Sequence, residues 1–219
     1  MKRITLLIIA LTALTTSACL QKDITSTVYL EQDGSAEWVV LERNVRSDEG
    51  NPAARDLEEH EYLDTITRDR HGVAEGFRAL GAGEVRTRLL RDRRPYAAMV
   101  EGRFDGLTGI LAPVLASCSI THGSDMVSTG GETTWTLWAD VGPDGDAAFS
   151  DSCGKEFEGI LEATEVTIVL ASGRFTRAVG FTLEGTDRAM IDEKATDNEA
   201  LARNNGRLVL SLSWTDGPR

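Results

Sequence analysis

Residues 24–41 read ITSTVYLEQDGSAEWVVL. Ile24, Ser26, Val28 and Leu30 alternate with Thr25, Thr27 and Tyr29, the two-residue repeat of a strand that buries one face. Asp33-Gly34 tolerates the positive backbone angles of a tight turn, and SAEWVVL (Ser35–Leu41) answers as the returning strand. A chain that pairs its strands through turns this short is building sheet from local antiparallel hairpins.

Outward from the hairpin, a polar bridge is expected through Asn44, Ser47, Asp48, Gly50 and Pro52. A long helical stretch follows from Ala53 to about Leu80, kinked or divided at Gly72, with Tyr62, Leu63, Ile66, Val73, Phe77 and Leu80 on one face. EVRTRLLRDRRPYAAMVEGRF reads as a second hairpin turning at Arg91 to Pro95. Leu107, Ile110, Leu111, Val114 and Leu115 then repeat at helical spacing across Pro113, which must bend or restart that helix. Further strands are expected near Met126–Ser128 and Thr133–Asp140, with Gly130-Gly131 between them, and at Glu165–Ala171, Phe175–Leu183 and Arg207–Trp214. A short helix is expected near Asp151–Glu162. Strands outnumber helices and do not alternate with them. The expected fold is therefore α+β: an antiparallel, hairpin-rich curved sheet with two or three helices packed on it.

The chain has 219 residues and begins MKRITLLIIALTALTTSACLQ. Lys2 and Arg3 precede an apolar segment, Ile4 to Leu14, far short of the about 20 residues a spanning helix needs. The segment reads as a signal peptide over residues 1–18. Thr16-Ser17-Ala18-Cys19 resembles the bacterial lipobox, although Thr16 stands where that pattern usually carries Leu. The resemblance implies cleavage before Cys19 and acylation of it, which leaves residues 19–219 as one lipid-anchored domain. Several acyl chains at about 0.8 kcal/mol per buried methylene would make that anchor effectively permanent. Leu20, rather than Asp, after the cysteine resembles the outer-membrane sorting class, on the periplasmic side.

Loss of Lys2 and Arg3 would take the net charge from −12 to −14. Such a surface repels nucleic acid and has no general attraction to anionic lipid. Cys118 and Cys153 are the cysteines left once Cys19 is acylated, and an even pair in an oxidising compartment is most simply a disulfide. Closing that loop would contribute about 3–4 kcal/mol in the chain-entropy picture.

Motifs that carry chemistry are incomplete. His60-Glu61-x-x-Asp64 falls one residue type short of a zinc-protease helix, and His71 lies about 16 Å further along a continuous helix. An exposed acidic face is the expected role, with no metal. Asp140, Asp144 and Asp151, with Gly145, match part of a calcium-loop spacing, but Gly142 occupies a ligand position and a strand precedes it, so a solvated turn is expected. His122, Ser124 and Asp125 are triad residue types gathered in what reads as a loop. No nucleophile elbow or phosphate-binding glycine loop is present. The distinctive electrostatic feature is Arg86, Arg88, Arg91, Arg93 and Arg94, five arginines close together in an acidic chain. Guanidinium forks suit phosphate and carboxylate, so this is a candidate anionic-ligand patch, weighed against a solvated hairpin paired with local acids.

The succession of a lipobox, TVYLEQDGSAEWVV, a helical insertion, FDGLTGILAPVL, and VTIVLASGRFTRAVGFTLEG before RLVLSLSW resembles the LppM-like lipoprotein domain family of bacterial envelopes. The resemblance implies a curved antiparallel sheet, a lipid-associated role and no catalytic residues. The expected function is a non-enzymatic, membrane-tethered envelope lipoprotein that binds a lipid or an envelope partner, without cofactor and without nucleic acid. The alternative is a structural or assembly component contacting only proteins, with Trp38, Trp135, Trp138 and Trp214 mainly in the core; an envelope hydrolase has the least support.

Overall fold

The computed structural model describes residues 20–142, 166–192 and 204–216. Strands β1 (Leu20–Leu30) and β2 (Ala36–Ser47) form the expected hairpin, with Leu30 opposite Ala36 and Leu20 opposite Ser47. In the turn, the Asp33 carboxylate accepts from the Ser35 amide at 2.9 Å and its hydroxyl at 2.6 Å, and Gly34 takes φ +85°. The turn is also a packing point: a Cβ on Gly106 (φ +76°) would lie 2.5 Å from the Gly34 carbonyl oxygen.

β2 continues past Leu41 through the residues expected to form the polar bridge. Asn44 (φ 54°) absorbs a bulge there, marked by a register shift between Glu42 and Val45 against β4. Asn51 caps helix α1 (Pro52–Thr67) by accepting from the Ala53 amide at 2.9 Å, with Pro52 in the first turn. The expected long helix is two: α1 ends at Thr67, and α2 runs Gly72–Ala79. The break is wider than a kink at Gly72, because Asp69 takes φ 55° and Arg78 pairs with its carboxylate across the gap. β3 (Glu84–Arg91) and β4 (Tyr96–Phe104) follow, then α3 (Gly106–Ser117) with Pro113 inside it.

β5 (His122–Thr129), β6 (Glu132–Asp140), β7 (Val166–Leu170), β8 (Arg174–Val179), β9 (Phe181–Glu184), β10 (Arg188–Ile191) and β11 (Arg207–Thr215) complete the described elements. The fold is α+β, as the pattern of elements predicts, with four corrections. There are two open sheets: seven strands ordered β3-β4-β2-β1-β7-β10-β9, and four ordered β5-β6-β11-β8. The larger sheet is mixed, because β1 and β7 pair in parallel, Ser26 opposite Val166 and Leu30 opposite Leu170. The strand expected over Phe175–Leu183 divides at Gly180 (φ +74°), so β8 joins the smaller sheet and β9 the larger. β10, which closes against β7 and β9, has no counterpart in the sequence reading. The helix expected near Asp151–Glu162 lies outside the described residues.

The main core lies between the sheets and under α2 and α3, with Val28, Leu30, Trp38, Phe77, Ile110, Leu137, Leu170, Leu212 and Trp214 buried in it. A smaller cluster of Val45, Tyr62, Ile66 and Ala98 fixes α1 on the larger sheet. Trp138, expected mainly in the core with the other tryptophans, is only half-buried, and the Arg207 guanidinium stacks 4.6 Å above it. No described helix is long and apolar enough to cross a membrane.

Candidate functional site

Two features stand out, one apolar and one charged. The apolar one is a cavity of about 180 Å³ between α3 and the larger sheet. Leu107, Ile110, Leu111 and Val114 of α3 form one wall, and Val28, Trp38, Ile168 and Phe181 of the sheet form the other. The i, i+3, i+4, i+7 spacing from Leu107 is what turns those side chains onto one face. Every lining side chain is apolar. An apolar cavity of about 150 Å³ stays dry and admits a hydrocarbon ligand, so this one favours alkyl groups and offers nothing to orient a polar reactant.

The charged feature was not anticipated. Ala36, Trp38, Val40 and Glu42 are successive inward positions of β2, so the strand's own alternation carries Glu42 into the interior, where it is 1% exposed. Tyr62 of α1 donates to Oε2 at 2.8 Å, His71 at the head of α2 places Nε2 3.1 Å from the same oxygen, and Lys22 of β1 donates to Oε1 at 3.0 Å. Burial by itself would push the Glu42 carboxyl up. The His71 hydrogen bond and charge, with those of Lys22, outweigh it and hold the carboxyl at about 2. The Tyr62 hydroxyl is pushed far up, first by burial and then by the Glu42 charge. His71 Nδ1 is buried and has no hydrogen-bond partner among the described residues. The signal for this cluster was in the sequence: a charged residue on the inward beat of a strand must find partners or destabilise the fold.

A second buried acid, Glu59 of α1, accepts from the Ser47 amide at 3.0 Å and pairs with Arg94 at 3.1 Å. Arg94 is thus a fastener between the β3–β4 turn and α1. The five arginines therefore do not form one patch. Arg86 pairs with Glu84 along β3 and Arg88 with Glu101 of the neighbouring β4, both at 2.7 Å. Arg91 and Arg93 are exposed and enter no ion pair among the described residues.

The remaining motifs are dispersed. His60 is exposed, Asp64 is held by Arg68 and Arg70, and His71 faces Glu42. No group of three His, Cys, Asp or Glu residues among the described residues could hold a metal. Asp140 pairs with Arg207 at 2.7 Å, while Asp144, Gly145 and Asp151 lie outside the described residues. His122, Ser124 and Asp125 lie in strand β5 and not in a loop, with His122 Nδ1 on the Ile120 carbonyl at 2.8 Å. Cys118 caps α3; Cys19 and Cys153 lie outside the described residues, as does the whole signal segment.

No family model and no curated protein matches the chain. The chain is similar to the NMR structure of the folded domain of Mycobacterium tuberculosis LppM, at 9% identity and a TM-score of 0.33, covering 94% of this chain and 95% of that one.

Proposed function

We propose that the protein is a non-enzymatic lipoprotein of the bacterial envelope, held at a membrane by acyl chains on Cys19, that takes an apolar acyl ligand beneath α3. The observation that carries the ligand is the cavity lined wholly by apolar side chains. The acid-base residues that do come together, Glu42, His71 and Tyr62, are each less than a tenth exposed, and Tyr62 and His71 both bond the Glu42 carboxylate, an arrangement that braces the helices. The proposed Cys118–Cys153 disulfide would tie down the C-terminal end of α3, the wall of the cavity. Outer-membrane anchoring on the periplasmic side and kinship with the LppM-like family belong to the same proposal.

The contact-only alternative has its own observation: Met126 and Val127 are half exposed on β5, an edge strand of the smaller sheet. Native mass spectrometry of the protein from its own host separates the two. A bound species of acyl-lipid mass is expected. Val114→Trp, at a half-buried position of the cavity wall, is expected to weaken uptake of a fluorescent fatty acid by about tenfold or more while unfolding within a few degrees of the parent. A bare protein that takes up no fatty acid, or a Val114→Trp variant that binds like the parent, sinks the ligand reading. The anchor is tested apart from it: Cys19→Ala should move the protein from the membrane fraction to the soluble one.

A further inference from the structure

The register of the larger sheet sets its two ends far apart in charge. Leu20 pairs with Ser47, Val45 with Tyr96 and Ala97 with Arg91, so the start of β1, the end of β2 and the β3–β4 turn all lie at one end. Arg94 confirms the adjacency by donating to the Ser47 carbonyl at 3.3 Å. This end carries Arg46, Arg91, Arg93 and Arg94, and Leu20 stands one residue after Cys19. Asp48, Glu49, Asp92 and Glu58, which accepts from the Ser47 hydroxyl, share it, and Glu59 neutralises Arg94, so the end is mixed in sign, with Arg91 and Arg93 exposed in its turn and in no ion pair among the described residues. The opposite end carries exposed Glu31, Asp33 and Asp105 around the β1–β2 turn. Ten steps of β1 separate the ends by about 33 Å, several screening lengths in physiological salt.

We propose that the β3–β4 turn, through Arg91 and Arg93, docks on the phosphate headgroups of an anionic lipid membrane, the one to which Cys19 is anchored. The inference rests on the anchor reading of Cys19, which brings this end to the bilayer first and turns the acidic end away. Arginine forks engage lipid phosphates in pairs of hydrogen bonds, so binding does not require the end as a whole to be basic. The orientation also locates the cavity. Val28, in its wall, lies eight strand residues beyond Leu20, roughly 26 Å from the membrane-facing end. An acyl ligand must then leave the bilayer to enter, as in a carrier.

The test uses the full chain with Cys19→Ser, so that acyl chains contribute nothing, and flotation with vesicles of phosphatidylcholine alone or mixed equally with phosphatidylglycerol. Tighter, salt-sensitive binding to the mixed vesicles is expected. The double variant Arg91→Glu/Arg93→Glu should lose on the order of 30-fold of it. The control Arg86→Glu/Arg88→Glu, at positions already paired with Glu84 and Glu101, should lose far less. Indifference to phosphatidylglycerol, binding unchanged by Arg91→Glu/Arg93→Glu, or an equal loss in the control overturns the proposal. These outcomes are independent of whether Cys19→Ala releases the protein from cell membranes, which judges the anchor alone.

Discussion

Glu42→Ala is expected to destabilise the protein by about 3–5 kcal/mol, as removal of one partner from a buried charged network does. The change strands the Tyr62 hydroxyl and the His71 ring in the interior and takes a partner from Lys22. Tyr62 and His71 are less than a tenth exposed, and Lys22 keeps only 25% of its side-chain surface. Each belongs to a different element, so the carboxylate is the joint through which β1, β2, α1 and the head of α2 meet. Glu42→Gln keeps an acceptor oxygen and the side-chain volume and should cost less, about 1–3 kcal/mol. Urea denaturation of both variants gives the measurement; a Glu42→Ala midpoint equal to that of the parent would show that the cluster does not hold the helices.

The same group sets a pH dependence. In the folded protein the Glu42 carboxyl sits at about 2 against an ordinary 4.5. Its contribution is therefore complete above about 4.5 and is lost as pH falls from there toward 2, and the shift corresponds to on the order of 3 kcal/mol. The stability gap between the parent and Glu42→Gln should narrow through that window, because a protonated carboxyl and an amide place similar demands on their neighbours. A gap that stays constant from neutral pH to pH 3 would remove Glu42 as the titrating group.

What the sequence disclosed and what it withheld divide along sequence separation. The β1–β2 and β3–β4 hairpins and α3 were legible because each is decided by residues a few positions apart: Asp33-Gly34, Arg91 to Pro95, and the repeat from Leu107 to Leu115. The parallel pairing of β1 with β7 joins Ser26 to Val166, and no local pattern encodes so distant a partner. Its one trace is the mainly apolar character of VTIVL, interrupted only by Thr167, which suits a strand covered on both faces. Gly180 looks like an ordinary interruption in a long strand; only its contacts, with a Cβ there placed 2.5 Å from Leu210 Cδ2, show that the chain changes sheet at that point. The Glu42 cluster was missed for a different reason. His71 and Tyr62 were read along the helix axis for metal spacing and apolar periodicity, while the group that gathers them lies across the structure on β2.

Phe77→Ala should cost a similar amount, about 3–5 kcal/mol, and should reach the cavity as well. Phe77 is completely buried on α2. Its ring centroid lies 5.1 Å from that of Trp38 and 5.6 Å, edge-on, from that of Phe104, and a Cβ on Gly102 would come within 2.6 Å of it. The sheet thus leaves a slot at Gly102 that the ring fills, and removing the ring opens a cavity there. Trp38 is the shared element, touching Phe77 on one side and lining the cavity on the other. With its support gone, the indole is free to tip toward the vacated volume and enlarge the space beneath α3. The expected results are a lower urea midpoint, red-shifted tryptophan emission from the folded state, and fatty-acid uptake that tolerates a bulkier chain than the parent accepts. A variant as unstable as expected but with unchanged ligand preference would mean that Trp38 is held by the sheet through its 2.7 Å bond to the Ser26 hydroxyl, and that the cavity keeps its shape independently of the helix behind it.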